Sequence, residues 1–224
     1  MIKVAVFDVG ETLIDETRIW SRWADRLGVP RFAMLGVIGG MAATGRPLSD
    51  AFEVVAPGLD VEAEQIAWAA SEPEGLRVNF DAEDLYPDVR RALGELRERG
   101  LRVLIAGNQP PQAKAALERM DLPVDGVHTS AEWDLEKPDP KFFLKVAEVA
   151  GVRPEQICYV GDRVDNDVLP AHAAGLRPVL IRRGPWGYLH AELPQATRYA
   201  TVIDTLDDLP TLLTSGFLNS PATG

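Results

Sequence analysis

Cysteine is nearly absent from this sequence, since Cys158 is the only one among 224 residues. A framework of disulfide bonds is therefore excluded. Cys158 lies in the apolar run ICYV, so we interpret it as a buried structural thiol and not as a nucleophile. A chain without disulfides is typical of a reducing compartment, and we expect a cytoplasmic protein.

Basic residues are too few for a nucleic-acid-binding protein. The 23 Lys and Arg residues stand against 34 Asp and Glu, which gives a formal net charge of −11. Binding to a phosphate backbone needs clustered Lys and Arg, and the sequence has no such cluster. Long apolar runs are also missing, because no stretch reaches the roughly 18 residues that span a bilayer. We expect a soluble protein that acts on a small molecule, without a nucleic-acid or membrane partner.

Short runs with strand composition recur along the chain, and each is followed by a helical pattern. These runs are KVAVF, LRVLIA, GVHTS, QICYV and RPVLI. Strands that alternate with helices predict a parallel sheet, so the fold class is expected to be α/β.

One helix is marked especially clearly, directly before LRVLIA. Pro87 suits its first position and Gly100 suits its end. Its apolar face is predicted to carry Leu85, Val89, Leu93 and Leu96. Further helices are predicted over about 110–120, 139–150 and 165–174.

Residues 15–85 show no strand alternation and are rich in Trp, Met, Ala and Leu. Two segments inside this stretch, TRIWSRWADRLG and FAMLGVIGGMAATG, read as helices, and Gly28 suits the end of the first. We therefore interpret 15–85 as an inserted helical subdomain and 1–14 with 86–214 as the core. The small and polar residues 215–224 are predicted to form a flexible tail.

Polar residues follow several of the predicted strands. Asp8 ends the first strand, Gly107 and Asn108 end the second, and Asp162 ends the fourth, with Asp167 close behind in GDRVDND. In an open parallel sheet the carboxyl ends of the strands meet at one edge, and ligands bind there. We expect these side chains to lie close together.

Lys137, in the segment EKPDP, precedes a helix in the crossover between the third and fourth strands. Carboxylate oxygens suit Mg²⁺, and a lysine beside them would neutralise a phosphate. Taken alone, each residue has an ordinary interpretation: Asp8 as a turn or cap, GDRVDND as a loop with a capped helix, and Lys137 as a solvated side chain. Their joint order and spacing favour a functional site.

Four segments in this order resemble the four motifs of the haloacid dehalogenase-like hydrolase superfamily. They are Asp8 and Thr12 in FDVGETL, the second strand that ends before Asn108, KPDP and VGDRVDND. The resemblance implies a Rossmann-like parallel-sheet core, over 1–14 and 86–214, with an α-helical cap at 15–85. It also implies Mg²⁺ as cofactor and phosphoryl transfer from a small phosphate ester through an aspartyl-phosphate.

The resemblance further implies roles for individual residues. Asp8 would be the nucleophile and a metal ligand, and Lys137 would steady both nucleophile and phosphate. Asp162 would bind the metal directly and Asp167 would act on it indirectly. The residues implied to contact the substrate phosphate are Gly107, Asn108 and Lys137.

Two positions depart from the pattern of the superfamily's phosphatases. Gly10 stands where a second aspartate is usual, so its carbonyl can still bind the metal but no side chain can act as general acid. Glu11 is a candidate for that acid, although a solvated turn residue is the favoured interpretation. Gly107 stands where Ser or Thr is usual, and Asn108 and Gln109 can partly substitute for the missing hydroxyl.

Three functions stay open at this point. The first is a Mg²⁺-dependent phosphohydrolase of a small metabolite, and the second is a catalytically silent protein that binds a ligand or partner in the same pocket. The third is a haloacid dehalogenase, which Asp162 and Asp167 disfavour because their charge would repel a departing halide. The sequence allows either a monomer or a homodimer and does not reveal the substrate.

Overall fold

The computed structural model describes residues 1–71 and 80–214. Within these residues six parallel strands form one sheet in the order β3-β2-β1-β4-β5-β6. The strands are β1 (Val4–Phe7), β2 (Arg102–Gly107), β3 (Gly126–Thr129), β4 (Ile157–Gly161), β5 (Arg177–Ile181) and β6 (Thr201–Ile203). The predicted parallel sheet is confirmed, and the short edge strand β6 is the one that the sequence pattern did not reveal.

Helices flank this sheet and also lie in the described part of the segment between β1 and β2. Among the described residues they are α1 (Thr17–Leu27), α2 (Arg31–Thr44), α3 (Asp50–Val55), α4 (Val61–Ser71), α5 (Val89–Glu98), α6 (Pro111–Arg119), α7 (Ser130–Trp133), α8 (Pro140–Ala150), α9 (Leu169–Ala173), α10 (Gly184–His190), α11 (Pro194–Tyr199) and α12 (Leu209–Thr214). A π-helical turn, Val164–Val168, leads into α9.

The central strands are buried on both faces. Every residue of β1 and β4 is buried, which explains why these strands read as continuous apolar runs instead of alternating ones. On one face Phe7 packs with Leu93 of α5, and on the other Tyr159 packs with Phe142 of α8. The core therefore lies in two layers on either side of the sheet.

The strand register brings the ends of β1, β2 and β4 together. Phe7 lies opposite Ile105 of β2 and opposite Val160 of β4. The backbone N–H of Asp8 continues the pairing by donating to the Val160 carbonyl over 2.9 Å. Asp8 and the residues after β2 and β4 consequently lie at the same edge of the sheet.

The helix before β2 begins later than its sequence pattern predicts. Helix α5 starts at Val89, so the start predicted at Pro87 is wrong by two residues, and the chain turns at Gly100 with φ of 83°. The reason lies in Asp88, whose carboxylate accepts hydrogen bonds from Arg183 and from the Leu206 N–H instead of capping α5. Tertiary contacts of one carboxylate thus set the helix start.

Helices α1 to α4 and a 3₁₀ turn at Ala82–Asp84 lie in the described part of residues 15–85, and no strand occurs in that described part. Helix α1 ends at Gly28, whose φ is 67°, as predicted. Where the chain enters and leaves this segment, the N–H of Asp15 donates to the Asp84 carbonyl over 2.8 Å. Residues 72–79 and the predicted tail at 215–224 lie outside the described residues.

None of the helices in the described ranges is by itself long and apolar enough to cross a membrane. Helices α1 and α2 meet the length and composition criteria only as a pair, and that pair is bent by 119°.

Candidate active site

Three buried carboxylates converge at the carboxyl edge of the sheet. Asp8 follows β1, Asp162 follows β4, and Asp167 lies in the π-helical turn before α9. One carboxylate oxygen from each residue lies within 4.8 Å of the other two. The structure thus brings together the three acids that the sequence predicted as a metal site.

Lys137 lies against two of these acids. Its Nζ is 2.8 Å from Asp8 Oδ1 and 2.6 Å from Asp167 Oδ1, and its side chain is 1% exposed. Burial alone would lower the pKa of Lys137, but the charges of Asp167 and Asp8 outweigh burial and raise that pKa well above its usual value. Lys137 is therefore a fixed positive charge beside the Asp8 carboxylate.

Asn108 holds the backbone of Lys137 in place. The N–H of Lys137 donates to Asn108 Oδ1 over 2.8 Å, and Asn108 Nδ2 donates to the Lys137 carbonyl over 2.9 Å. The side chain predicted to contact phosphate is thus engaged in positioning the lysine, and a direct contact between Asn108 and substrate stays a prediction.

Asp162 has no compensating contact of this kind. Within the described residues no hydrogen bond or ion pair reaches its carboxylate, and burial together with the charges of Asp167 and Asp8 raises its pKa well above the usual value. Three acids with one ammonium leave excess negative charge in a buried, all-oxygen setting. These residues fit a divalent hard cation such as Mg²⁺, which neutralises such charge and prefers carboxylate ligands.

Asp167 differs from Asp162 because both of its oxygens already have partners. Oδ1 contacts Lys137 Nζ, and Oδ2 accepts a hydrogen bond from the Arg163 N–H over 3.0 Å. Burial raises the pKa of Asp167 to about 6. Its saturated contacts fit the predicted indirect role better than direct coordination.

Gly107 allows Asp8 to approach the end of β2. A Cβ placed on Gly107 would lie only 2.3 Å from Asp8 Oδ1. The space that a serine or threonine side chain would fill at this position is therefore occupied by the carboxylate of Asp8. The departure at Gly107 and the orientation of Asp8 are consequently linked.

Glu11 is not a solvated turn residue. It has a positive φ of 50°, and its carboxylate accepts hydrogen bonds from the Tyr86 hydroxyl over 2.6 Å and from the Glu16 N–H over 3.0 Å. Burial raises the pKa of Glu11 in spite of these bonds. Both oxygens thus fasten the turn after Asp8 to its surroundings, and its role as an acid stays a prediction.

The sequence reasoning missed Glu16, which lies just before α1. Its Oε1 is 2.4 Å from the position of a Cβ built on Gly10, and its Oε2 accepts a hydrogen bond from Trp20 Nε1 over 3.1 Å. Burial, aided by the charge of Glu11, raises the pKa of Glu16 to about 7. The only sequence signal was a further acid close behind the glycine, in GETLIDE.

A cavity of about 520 Å³ opens between this edge of the sheet and the inserted helices. Its polar end contains Asp8, Glu16, Lys137 and Asp162, together with Arg163. Its apolar wall is formed by Trp20, Leu35, Ile38, Leu48 and Trp186. The volume lies within the range of about 300–1,000 Å³ that is usual for small-molecule sites.

Residues 2–175 match the haloacid dehalogenase-like hydrolase family. The chain belongs to this family. The resemblance seen in the sequence motifs is thereby confirmed, and so is the fold class that it implied.

Curated relatives in the family are phosphatases by name. The chain is 38% identical over 109 residues to the glyceraldehyde 3-phosphate phosphatase of Methanopyrus kandleri, covering 45% of each chain. It is 36% identical over 120 residues to the phosphoserine phosphatase of Thermus thermophilus, covering 50% of this chain and 45% of the relative. It is 34% identical over 132 residues to phosphoglycolate phosphatase 1 of Pseudomonas aeruginosa, covering 56% of this chain and 46% of the relative. The chain therefore spans about half the length of the curated relatives that it matches.

Solved structures in the family share the fold over nearly the whole chain. A HAD phosphatase from Thermococcus onnurineus superposes with a TM-score of 0.59 at 23% identity, covering 95% of this chain and 98% of the other. L-2-haloacid dehalogenase from Xanthobacter autotrophicus gives a TM-score of 0.65 at 23% identity, with the same coverage. At this identity the likeness concerns the fold alone.

Proposed function

We propose that the chain is a Mg²⁺-dependent phosphohydrolase that cleaves a small phosphate monoester through an aspartyl-phosphate on Asp8. The observation that carries this proposal is the pairing of buried Asp8 with Lys137 beside Asp162, whose carboxylate has no hydrogen bond or ion pair within the described residues. Relatives that are phosphatases by name add support, since their substrates are small phosphorylated metabolites. Such a protein would act in the cytoplasm, as a monomer or homodimer.

Asp8 would attack the phosphorus atom from the end of β1. Lys137 would hold the attacking oxygen in place and reduce the repulsion between the carboxylate and an anionic phosphate. Attack forms the bond from Asp8 to phosphorus and breaks the bond to the ester oxygen, and water then hydrolyses the aspartyl-phosphate. These two steps regenerate Asp8.

The residues suited to hold Mg²⁺ are Asp8 and Asp162, with the Gly10 carbonyl as a further ligand. Asp167 would act indirectly, because Lys137 and the Arg163 N–H already occupy its oxygens. When bound, the ion supplies positive charge that neutralises and orients the phosphoryl group. The same charge balance argues against carbon–halogen hydrolysis without metal, in which the three acids would oppose halide departure.

Residues 15–85 would serve as a cap, and residues 1–14 with 86–214 as the core. Helices of the proposed cap supply Trp20, Leu35 and Ile38 to the cavity wall. Closing such a wall over the polar end excludes water and selects the part of the substrate beyond its phosphate.

A panel of phosphate esters, assayed with the full chain with and without Mg²⁺, tests this proposal. The panel contains phosphoglycolate, phosphoserine, glyceraldehyde 3-phosphate and p-nitrophenyl phosphate. We expect Mg²⁺-dependent release of phosphate, lost in Asp8→Asn and retained in Asp204→Asn, which makes the same change at an exposed ion pair with Arg182.

Three results would contradict the proposal. A full rate of phosphate release in Asp8→Asn would show that Asp8 is not the nucleophile. Release of halide from 2-haloacids without metal would identify a dehalogenase. Binding of Mg²⁺ and phosphate mimics without any turnover would identify the silent binding protein instead.

A further inference from the structure

The carboxyl group of Glu16 fills the space beside Gly10, in the turn that follows Asp8. A Cβ on Gly10 would lie 2.4 Å from Glu16 Oε1 and 3.0 Å from its carboxyl carbon. A side chain at position 10 and the present position of the Glu16 carboxyl are therefore mutually exclusive. Glycine at position 10 lets a carboxyl from another part of the chain enter this space.

Two hydrogen bonds fix Glu16 in this position. Its backbone N–H donates to Glu11 Oε1 over 3.0 Å, and its Oε2 accepts from Trp20 Nε1 over 3.1 Å. Glu11 is held in turn by the Tyr86 hydroxyl. No donor in the described part of the chain reaches Oε1, and Glu16 lines the cavity that also contains Asp8.

We infer that Glu16 is the general acid and base of the proposed phosphoryl transfer. This role rests on the proposed function, because only a phosphate ester cleaved at Asp8 produces a leaving oxygen in this cavity. Glu16 lines the cavity, and its unengaged Oε1 lies beside Gly10, in the turn directly after the nucleophile. A positioned acid of this kind contributes about 10²–10⁴-fold to such a step.

The proton balance of both steps follows from this assignment. In the first, the Asp8–phosphorus bond forms, the ester bond breaks, and the proton of the Glu16 carboxyl moves to the leaving oxygen to give an alcohol. In the second, water attacks phosphorus, its proton returns to the Glu16 carboxylate, and Asp8 and inorganic phosphate are released.

Glu11 is a positioning residue in this arrangement. Both of its oxygens already accept hydrogen bonds, one from Tyr86 and one from Glu16 itself. Removing its charge should loosen Glu16, so Glu11→Gln should lower kcat/KM for poor leaving groups by a smaller factor than Glu16→Gln does. Removing the acid should lower kcat/KM for poor leaving groups alone, because the second step is the same for every ester and does not enter kcat/KM.

The test compares p-nitrophenyl phosphate, whose leaving group needs no proton, with propyl phosphate, whose leaving group does. In saturating Mg²⁺ we expect Glu16→Gln to lower kcat/KM for propyl phosphate by about 10²–10⁴-fold and to leave p-nitrophenyl phosphate nearly unchanged. Glutamine keeps the size of the side chain and an acceptor for Trp20. Glu62→Gln, an exposed position on α4, is the matched control and should behave as wild type.

A side-chain exchange provides a second measurement. Gly10→Asp in the Glu16→Ala background should recover propyl phosphate hydrolysis relative to Glu16→Ala alone, because the new carboxyl takes the vacated space. Gly10→Asp in the wild-type background should not add to the rate, since the two side chains compete for that space.

Several outcomes overturn the inference while the proposed function stands. They are an equal fall in kcat/KM for both esters in Glu16→Gln, no fall for either, and a loss for propyl phosphate that is larger in Glu11→Gln than in Glu16→Gln. If wild type hydrolyses neither ester, or Asp8→Asn hydrolyses both, the proposed function fails and this role fails with it.

Discussion

The Asp162→Asn variant should be more stable than wild type without Mg²⁺ and less stable than wild type when Mg²⁺ is added. Asp162 is buried beside Asp8 and Asp167, while Lys137 contacts only the latter two. Asparagine has nearly the same shape but no charge, so it removes a repulsion that the charge of Lys137 offsets only in part in the metal-free protein. Without Mg²⁺, the variant should therefore unfold at a higher temperature than wild type.

The effect of Mg²⁺ can be given a size. A ligand that binds only the folded chain stabilises it by about 2.7 kcal/mol when its free concentration is one hundred times its Kd. In a chain of this length about 1 kcal/mol raises Tm by roughly 2–4 °C, so the wild-type Tm should rise by roughly 5–11 °C. Asp162→Asn loses a ligand, and most of this rise should disappear.

Thermal unfolding followed by circular dichroism over a MgCl₂ titration measures both effects. Asp165→Asn is the control, because that carboxylate lies in the same loop but is 58% exposed and pairs with Arg163. The control should keep the full rise in Tm. A full rise in Asp162→Asn would exclude Asp162 as a ligand, and a metal-free variant less stable than wild type would refute the repulsion argument.

Two further predictions concern the crossings between core and inserted helices, and the single thiol. Arg18 contacts buried Asp84 and also lies 2.8 Å from Asp81. Arg18→Met should therefore speed backbone hydrogen exchange over 80–86 but not in the sheet. Unchanged exchange would show that these ion pairs do not hold the crossing. Burial raises the pKa of Cys158 to about 12. A thiol reagent at pH 8 should therefore label Cys158 only after unfolding. Rapid labelling of the native chain would contradict this burial.

The sheet and the cluster of acids were predictable because both follow from order along the chain. Parallel strands end at one edge, so Asp8, Asp162 and Asp167 meet wherever their strands pair in register. Strand β6 was missed because three residues, Thr201–Ile203, are too few to show a pattern. Its pairing with β5 depends on a neighbour that only the folded chain provides.

The position of Glu16 could not be predicted in the same way. It depends on the turn after Asp8, in which the N–H groups of Leu13 and Ile14 both donate to the Val9 carbonyl. That turn brings residue 16 back against residue 10, a return that neither helical nor strand periodicity encodes. The start of α5 was misplaced for a related reason, since the bond of Asp88 to distant Arg183 decides it.

Helix α10, although it follows β5, places its Trp186 in the apolar cluster of the inserted helices. Trp186 is 5% exposed and packs there with residues such as Trp23 and Met34, while the Arg163 guanidinium lies 4.8 Å from the centre of its ring. The inserted segment is thus continuous in sequence but not self-contained in packing. A chimera that transplants 15–85 between relatives must therefore carry α10 with it, and recombination breakpoints chosen from the chain order alone would divide one packing unit between two parents.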